Sequence, residues 1–256
     1  MNYELREVGE GVWAAIADDD PPAVGNAAIV DTGEETVVFD TTLSFRLSAR
    51  LREDAVRLTG RDVTTLVNSH WHGDHTLGNQ SFADARIVST ERTRELIETV
   101  GAERLARSKE LYGEERPEIL DVELTPPTEA FDDLLELGRV EVVTYGGGHT
   151  ESDAVVWLAD AALLLAADLV LIDNHAWVGD GDVRSWRQIL ARLGELDPEV
   201  IVPGHGPVGT SGDLDLMDAY LATLLRLEPG AEMPPELADL AHPEVFERNL
   251  AALQSR

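Results

Sequence analysis

Apolar residues come in short bursts over the first third of the chain. Gly11 to Ala17, Ala27 to Asp31 and Thr36 to Phe39 are apolar or alternating runs, separated by the turn-rich segments Asp18-Asp19-Asp20-Pro21-Pro22 and Thr32-Gly33-Glu34. Runs of that length and period, bounded by Gly, Pro and Asp, predict an antiparallel meander. The spacing then changes. Phe45, Leu47, Leu51, Ala55 and Leu58 recur at helical intervals, predicting a helix from Ser44 to Leu58 that stops at Gly60. Val63 to Val67 reads as a buried strand that delivers His70 at its C-terminal end, where open α/β sheets place their chemistry.

Glu91 to Leu111 is helical in pattern and highly charged, and Pro117, Pro126 and Pro127 follow in a stretch of little periodicity. A helical insertion at about 91–130, walling a pocket, is expected there. Strands return at Val140 to Thr144, Ala154 to Leu158 and Ala161 to Ala166, and Gly146-Gly147-Gly148 forms a turn that tolerates close backbone approach. Asp182 caps a helix whose apolar face is Val183, Trp186, Ile189, Leu190 and Leu193. Val200 to Val202 is a strand leading to His205. Helices are expected at Leu214 to Leu227 and Pro243 to Leu253, joined by Pro229-Gly230 and Pro234-Pro235. Two β-then-α halves in 256 residues suit one large core, so residues 1–256 are expected to form a single domain of α/β class.

The chemistry concentrates in few residues. His70-Trp71-His72-Gly73-Asp74-His75 packs four potential metal ligands into six positions, and His149, Asp168 and His205 recur downstream, so five of the seven histidines belong to the pattern. In an extended stretch, residues two apart share a side, so His70 and His72 can reach one ion. Asp74 and His75, on the turn that follows, can face a second. Imidazole and carboxylate without thiolate suit zinc, with manganese or iron as alternatives.

The order His70-x-His72-x-Asp74-His75, Gly147-Gly148-His149-Thr150, Asp168 after an apolar run, and Pro203-Gly204-His205-Gly206 resembles the metallo-β-lactamase fold superfamily of metallohydrolases. The resemblance implies a four-layer αββα sandwich: two mixed β-sheets face to face with helices outside. It implies two zinc ions, one held by His70, His72 and His149, the other by Asp74, His75 and His205. Asp168 bridges them, and Asp74 and Asp168 serve as the catalytic carboxylates. It further implies a bridging hydroxide that attacks a small ester, thioester, lactone or lactam. Asp40, after Val37-Val38-Phe39, falls where the family often has an acidic residue and is read as orienting a ligand histidine. His175, with Asn174 and Trp177, is expected to line the pocket, His242 to start a surface helix, and Asp153 receives no role. Neither histidine is a ligand candidate.

Two departures bear on substrate. The best-known zinc β-lactamases carry a cysteine where this chain has Asp168, and Leu171 replaces the lysine that grips the antibiotic carboxylate. Poor recognition of carboxylate-bearing lactams and better turnover of neutral substrates are therefore expected. A β-lactamase proper and a mononuclear-iron persulfide oxygenase, which uses a similar ligand set, are the alternatives.

Charge narrows the partners. Asp and Glu number 49 against 20 Lys and Arg, a formal net charge of -29, and Lys109 is the sole lysine. Such a surface repels phosphate backbones, so no nucleic-acid partner is expected and a small molecule is. A high-salt cytoplasm and a GC-rich genome that favours Arg over Lys both account for the balance. No apolar run approaches the roughly 18 to 20 residues of a membrane span, and Met1-Asn2-Tyr3-Glu4-Leu5-Arg6-Glu7 lacks the order of a secretory signal. With no cysteine to suggest export, a cytoplasmic location and no membrane partner are expected.

Overall fold

The computed structural model of the chain describes residues 3–18, 25–114, 117–228 and 230–254. The turn expected at Asp18 to Pro22 lies, past Asp18, outside the described residues, as does Pro229. The first sheet has seven strands: β1 (Tyr3–Gly9), β2 (Val12–Ala17), β3 (Ala27–Asp31), β4 (Thr36–Phe39), β5 (Val63–Val67), β6 (Arg86–Thr90) and β7 (Glu129–Phe131), adjacent in chain order. β2 to β4 form the predicted antiparallel meander, which β1 extends, and β4 to β7 pair in parallel.

Parallel neighbours need crossovers, and these carry the first helices. α1 (Phe45–Thr59) joins β4 to β5, α2 (Gly73–Thr76) lies between β5 and β6, and α3 (Glu91–Leu96) and α4 (Ala102–Tyr112) lie between β6 and β7. The second sheet has five strands: β8 (Leu134–Leu137), β9 (Val140–Thr144), β10 (Ala154–Leu158), β11 (Leu163–Leu171) and β12 (Val200–His205). Its one parallel pair, β11 with β12, is spanned by α5 (Val183–Gly194); α6 (Gly212–Leu224) and α7 (Pro243–Gln254) follow.

The helix signals act as read. The Ser44 hydroxyl accepts from the Leu47 N–H and Gly60 closes α1 in the left-handed region at φ 71°, while Asp182 accepts from Ser185 N–H at 2.7 Å to cap α5. Three apolar layers separate the elements. Val12, Val30, Val37, Phe39 and Val67 meet Val140, Val142, Val156, Leu165 and Val202 between the sheets. Leu47, Leu51 and Ala55 cover Ile29, Val38 and Leu66 on one outer face. Trp186, Ile189, Leu193, Leu221 and Phe246 cover Leu164, Ala166 and Ile201 on the other. The result is the expected αββα sandwich of two mixed sheets.

Differences from the sequence reading are local. β1 was not predicted, although Tyr3 and Leu5 alternate with Glu4 and Arg6 and Tyr3 is buried. β7 and β8 occupy the stretch of little periodicity; they are short, and Leu134 is exposed. The charged helix at 91–112 is interrupted by a π-helical turn at Ile97–Gly101. β11 runs on to Leu171, so Asp168 lies inside a strand rather than after it.

Asn26 ties the two sheets at the end where His205 emerges. Its side-chain amide donates to the carbonyls of Pro203 (2.9 Å) and Gly206 (3.0 Å), its carbonyl accepts from Ala17 N–H (2.8 Å), and its own N–H donates to Gly204 O (2.7 Å). Removing a buried partner strands the groups it satisfied. Asn26→Ala is expected to destabilise the fold by about 1–3 kcal/mol, read from a denaturant melt; an unchanged midpoint would show that the clamp holds nothing.

Candidate metal centre

All seven predicted ligand residues come together between the ends of the sheets. Their donor atoms fall into two groups close enough to hold an ion each: His70, His72, His149 and Asp168, and beside them Asp74, His75 and His205. His70 and His72 follow β5, Asp74 and His75 sit on α2, and His205 ends β12. Asp168 faces both groups. Its Oδ1 lies 3.0 Å from His75 Nε2, and its Oδ2 lies 3.3 Å from His149 Nε2 and 3.5 Å from His205 Nε2. Asp74 Oδ2 is 3.2 Å from His205 Nε2.

The backbone is bent to achieve this. Ala167 holds a positive φ of 45° where the β11–β12 register shifts, which turns Asp168 toward the histidines. On the facing strand only glycine fits at Gly204, because a Cβ there would collide with the Asp168 carboxylate. Asp153 fixes the loop of His149: its carboxylate accepts from Gly148 N–H (2.7 Å), Thr150 N–H (3.0 Å) and the Thr150 hydroxyl (2.7 Å). That is a role the sequence reading did not give it.

Hydrogen bonds on the far side of four rings fix which nitrogen stays open. His149 Nδ1 lies 3.1 Å from the Trp177 carbonyl, which can only accept, so Nδ1 carries the proton and Nε2 is bare. His75 Nδ1 faces Asp40 Oδ2 at 2.9 Å, as expected of an acid at position 40. The Ser69 hydroxyl donates to the same carboxylate (2.6 Å), which leaves it to accept from His70 Nδ1 (2.8 Å). His72 is held the other way round. Its Nε2 meets Asp180 Oδ2 at 3.0 Å, so Nδ1 points inward. In each case the inner nitrogen aims at the shared centre, where a ligand imidazole needs its lone pair, and on His75 that lone pair is freed only when the second proton leaves. His70 Nε2, His75 Nε2 and Asp168 Oδ1 are buried without a hydrogen-bond partner, although the last two approach to 3.0 Å. Buried polar atoms orphaned within these two groups, in a His and Asp set, fit divalent-cation binding.

Asp180, Ser69 and the hold of the Trp177 carbonyl on His149 were not found from sequence. Asp180 reaches His72 across 108 residues, and no local spacing announces such a pair. Gly25 also matters, since a Cβ there would press on the His75 ring.

The electrostatics follow from burial. His70, His75 and Asp168 are 1%, 0% and 5% exposed. Burial opposes ionisation of Asp168, but His75, His205 and His149 outweigh it and hold the carboxyl well below its usual range. Burial likewise opposes charge on His205, yet Asp168 and Asp74 push it up to about 10. His75 moves the same way under Asp168, Asp74 and Asp40, whereas burial drives His70 and His149 down. The metal-free centre therefore keeps its carboxylates charged by protonating His75 and His205.

A cavity of about 570 Å³ opens onto this cluster. Leu43, Ile119, Leu171 and Val245 form apolar walls, and His175, Asn174 and Trp177 line it as expected. His242, expected on the surface at the start of a helix, is only partly exposed and lines the cavity too.

A His and Asp centre at the rim of an αββα sandwich defines a metal-dependent hydrolase fold. The metallo-β-lactamase superfamily matches residues 20–205, and the chain belongs to that superfamily. It is 27% identical over 198 residues to the metallo-β-lactamase type 2 of Bacillus cereus, covering 73% of this chain and 69% of that protein. It is 24% identical over 211 residues to a β-lactamase-like protein 2 homolog of Caenorhabditis elegans, covering 79% and 62%. Among solved structures, FIM-1 from Pseudomonas aeruginosa in its mono-zinc form superposes with a TM-score of 0.71 at 17% identity, covering 89% of this chain and 98% of that one. The metallo-β-lactamase from Hirschia baltica gives 0.70 at 18%, covering 86% and 98%.

Ligand imidazoles must be neutral, so metal uptake displaces protons. Because the His75 and His205 pKa values are raised, both rings are protonated at pH 7 and loading is expected to release about two protons per chain, with affinity weakening as pH falls. Calorimetry in buffers of different ionisation enthalpy measures this. Release near zero at pH 7 would contradict the charge state assigned here.

Proposed function

We propose that the protein is a dinuclear metal-dependent hydrolase of a small ester, thioester, lactone or lactam. The observation that carries this reading is the Asp168 carboxylate, whose two oxygens face the two ligand groups at 3.0–3.5 Å. Two zinc ions suit such a set, with manganese or iron as alternatives. Ions held there supply a water activated near neutral pH and a Lewis acid for the scissile carbonyl, so no serine or cysteine nucleophile is needed.

The residues of the chain provide the frame. Asp168 sets the separation of the two groups, Asp40 and Asp180 hold His75 and His72 in the right tautomer, and Asp153 holds the His149 loop. The cavity admits a small acyl compound, with Leu43, Ile119, Leu171 and Val245 as an apolar wall among mostly polar and ionisable residues.

The test is a hydrolysis screen of metal-loaded protein over esters, thioesters, lactones and β-lactams, with metal content measured alongside. Asp168→Ala is expected to reduce turnover to background and to empty the Asp74, His75 and His205 group first, whereas His72→Ala empties the other. Asp40→Ala is expected to cost about 10- to 100-fold in activity or metal affinity. Full activity and metal content in Asp168→Ala would refute the bridging role. A single iron with persulfide oxidation would favour the oxygenase instead.

A further inference from the structure

Two arginines line the catalytic cavity, Arg104 from α4 and Arg248 from α7, in a chain with only 20 basic residues against 49 acidic ones. Each lies over a tryptophan, Arg104 at 4.3 Å from the Trp71 ring centre and Arg248 at 4.7 Å from that of Trp177. Their ion pairing differs. Arg104 is committed, its Nη2 donating to both oxygens of Asp180 at 3.0 and 3.2 Å. Arg248 has no carboxylate within ion-pair distance among the described residues. Glu244, one turn earlier on α7 and also lining the cavity, faces His242 at 3.6 Å instead.

The position of Arg248 is built rather than incidental. Its neighbour Asn249 is fully buried; its amide donates to Ala176 O (2.7 Å) and the Tyr220 hydroxyl (3.1 Å), and its carbonyl accepts from Val178 N–H (3.0 Å). This clamps α7 onto the loop that carries Trp177. That loop in turn holds the centre, through the Trp177 carbonyl on His149 and the Trp177 indole N–H on Asp180 (2.8 Å). A guanidinium is thus placed over an indole at the cavity wall, with its donors unclaimed by acid. A planar fork of N–H donors matches a carboxylate, and stacking spares it part of the entropy of ordering.

We propose that Arg248 anchors a carboxylate on the substrate, so that the enzyme acts on small acyl compounds that carry one. The proposal rests on the hydrolase reading for its substrate and on the cavity geometry for its anchor. It reverses the expectation drawn from Leu171, since the positive charge enters from α7, beyond residues 20–205 matched by the family, instead of from the end of β11. In a molecule of charge -29, whose far field repels anions and is screened within about 8 Å at physiological salt, a local cation decides whether an anion can enter.

The probes are benzylpenicillin and its methyl ester, which differ in one carboxylate. Binding of both to the full chain, stripped of metal so that no turnover occurs, is measured by calorimetry, and hydrolysis of both by the metal-loaded protein. Wild type is expected to bind the acid about ten- to a hundredfold more tightly than the ester. Arg248→Ala brings that ratio near one and Arg248→Lys retains part of it; in hydrolysis the loss falls on KM for the acid, with the ester unaffected. A wild type with no preference for the acid, no binding of either compound, or a ratio unchanged in Arg248→Ala each overturns the proposal. If the loaded protein hydrolyses neither compound but the binding ratio still depends on Arg248, the anchor stands and hydrolysis of these lactams fails.

Discussion

Asp168 is a buried carboxylate with three imidazole nitrogens within 3.5 Å, and the fold is arranged around that concentration of charge. Placing an unpaired carboxylate in a protein interior costs several kcal/mol, so it persists only if cations surround it. Without metal, protons on His75 and His205 meet that need. A bound metal would meet it instead, and the same side chains that act as acids and bases would become its ligands. Conformational freedom is given up at Ala167 and Gly204 to let the carboxylate reach the centre from a strand interior.

Everything next to the ligands acts on their orientation. Asp40, itself in the left-handed region at φ 60°, holds His75 and Ser69; Ser69 holds His70; the Trp177 carbonyl holds His149; and Asp180 holds His72. Each contact leaves one ring nitrogen facing the inner side. Asp180 also ties Trp177 and Arg104 to the centre, so the cavity rim and the ligand cage share a residue. The clamp at Asn249 extends the connection to the C-terminal helix.

Much of this was legible in the sequence because it is local. His70, His72, Asp74 and His75 are close in the chain, and their spacing predicts a shared site whatever the rest of the fold does. The glycines before His149 likewise announce tight backbone approach, and the meander and α1 follow from period and capping alone. Contacts between distant segments left no such trace. His72 with Asp180, Asn26 with Pro203 and Arg248 with Trp177 are set by which strand ends and helices meet, which no short window encodes. β7 and β8 were missed for a related reason: they are short, and much of their surface faces water, so neighbours rather than pattern define them.

The central claim is that these seven side chains hold two ions with Asp168 between them. Anomalous diffraction from a crystal of the metal-loaded protein tests it directly. The account predicts two peaks about 3.5–4 Å apart, one among His70, His72 and His149 and the other among Asp74, His75 and His205. A single peak at saturating metal, or two peaks with Asp168 contacting neither or only one, would contradict it.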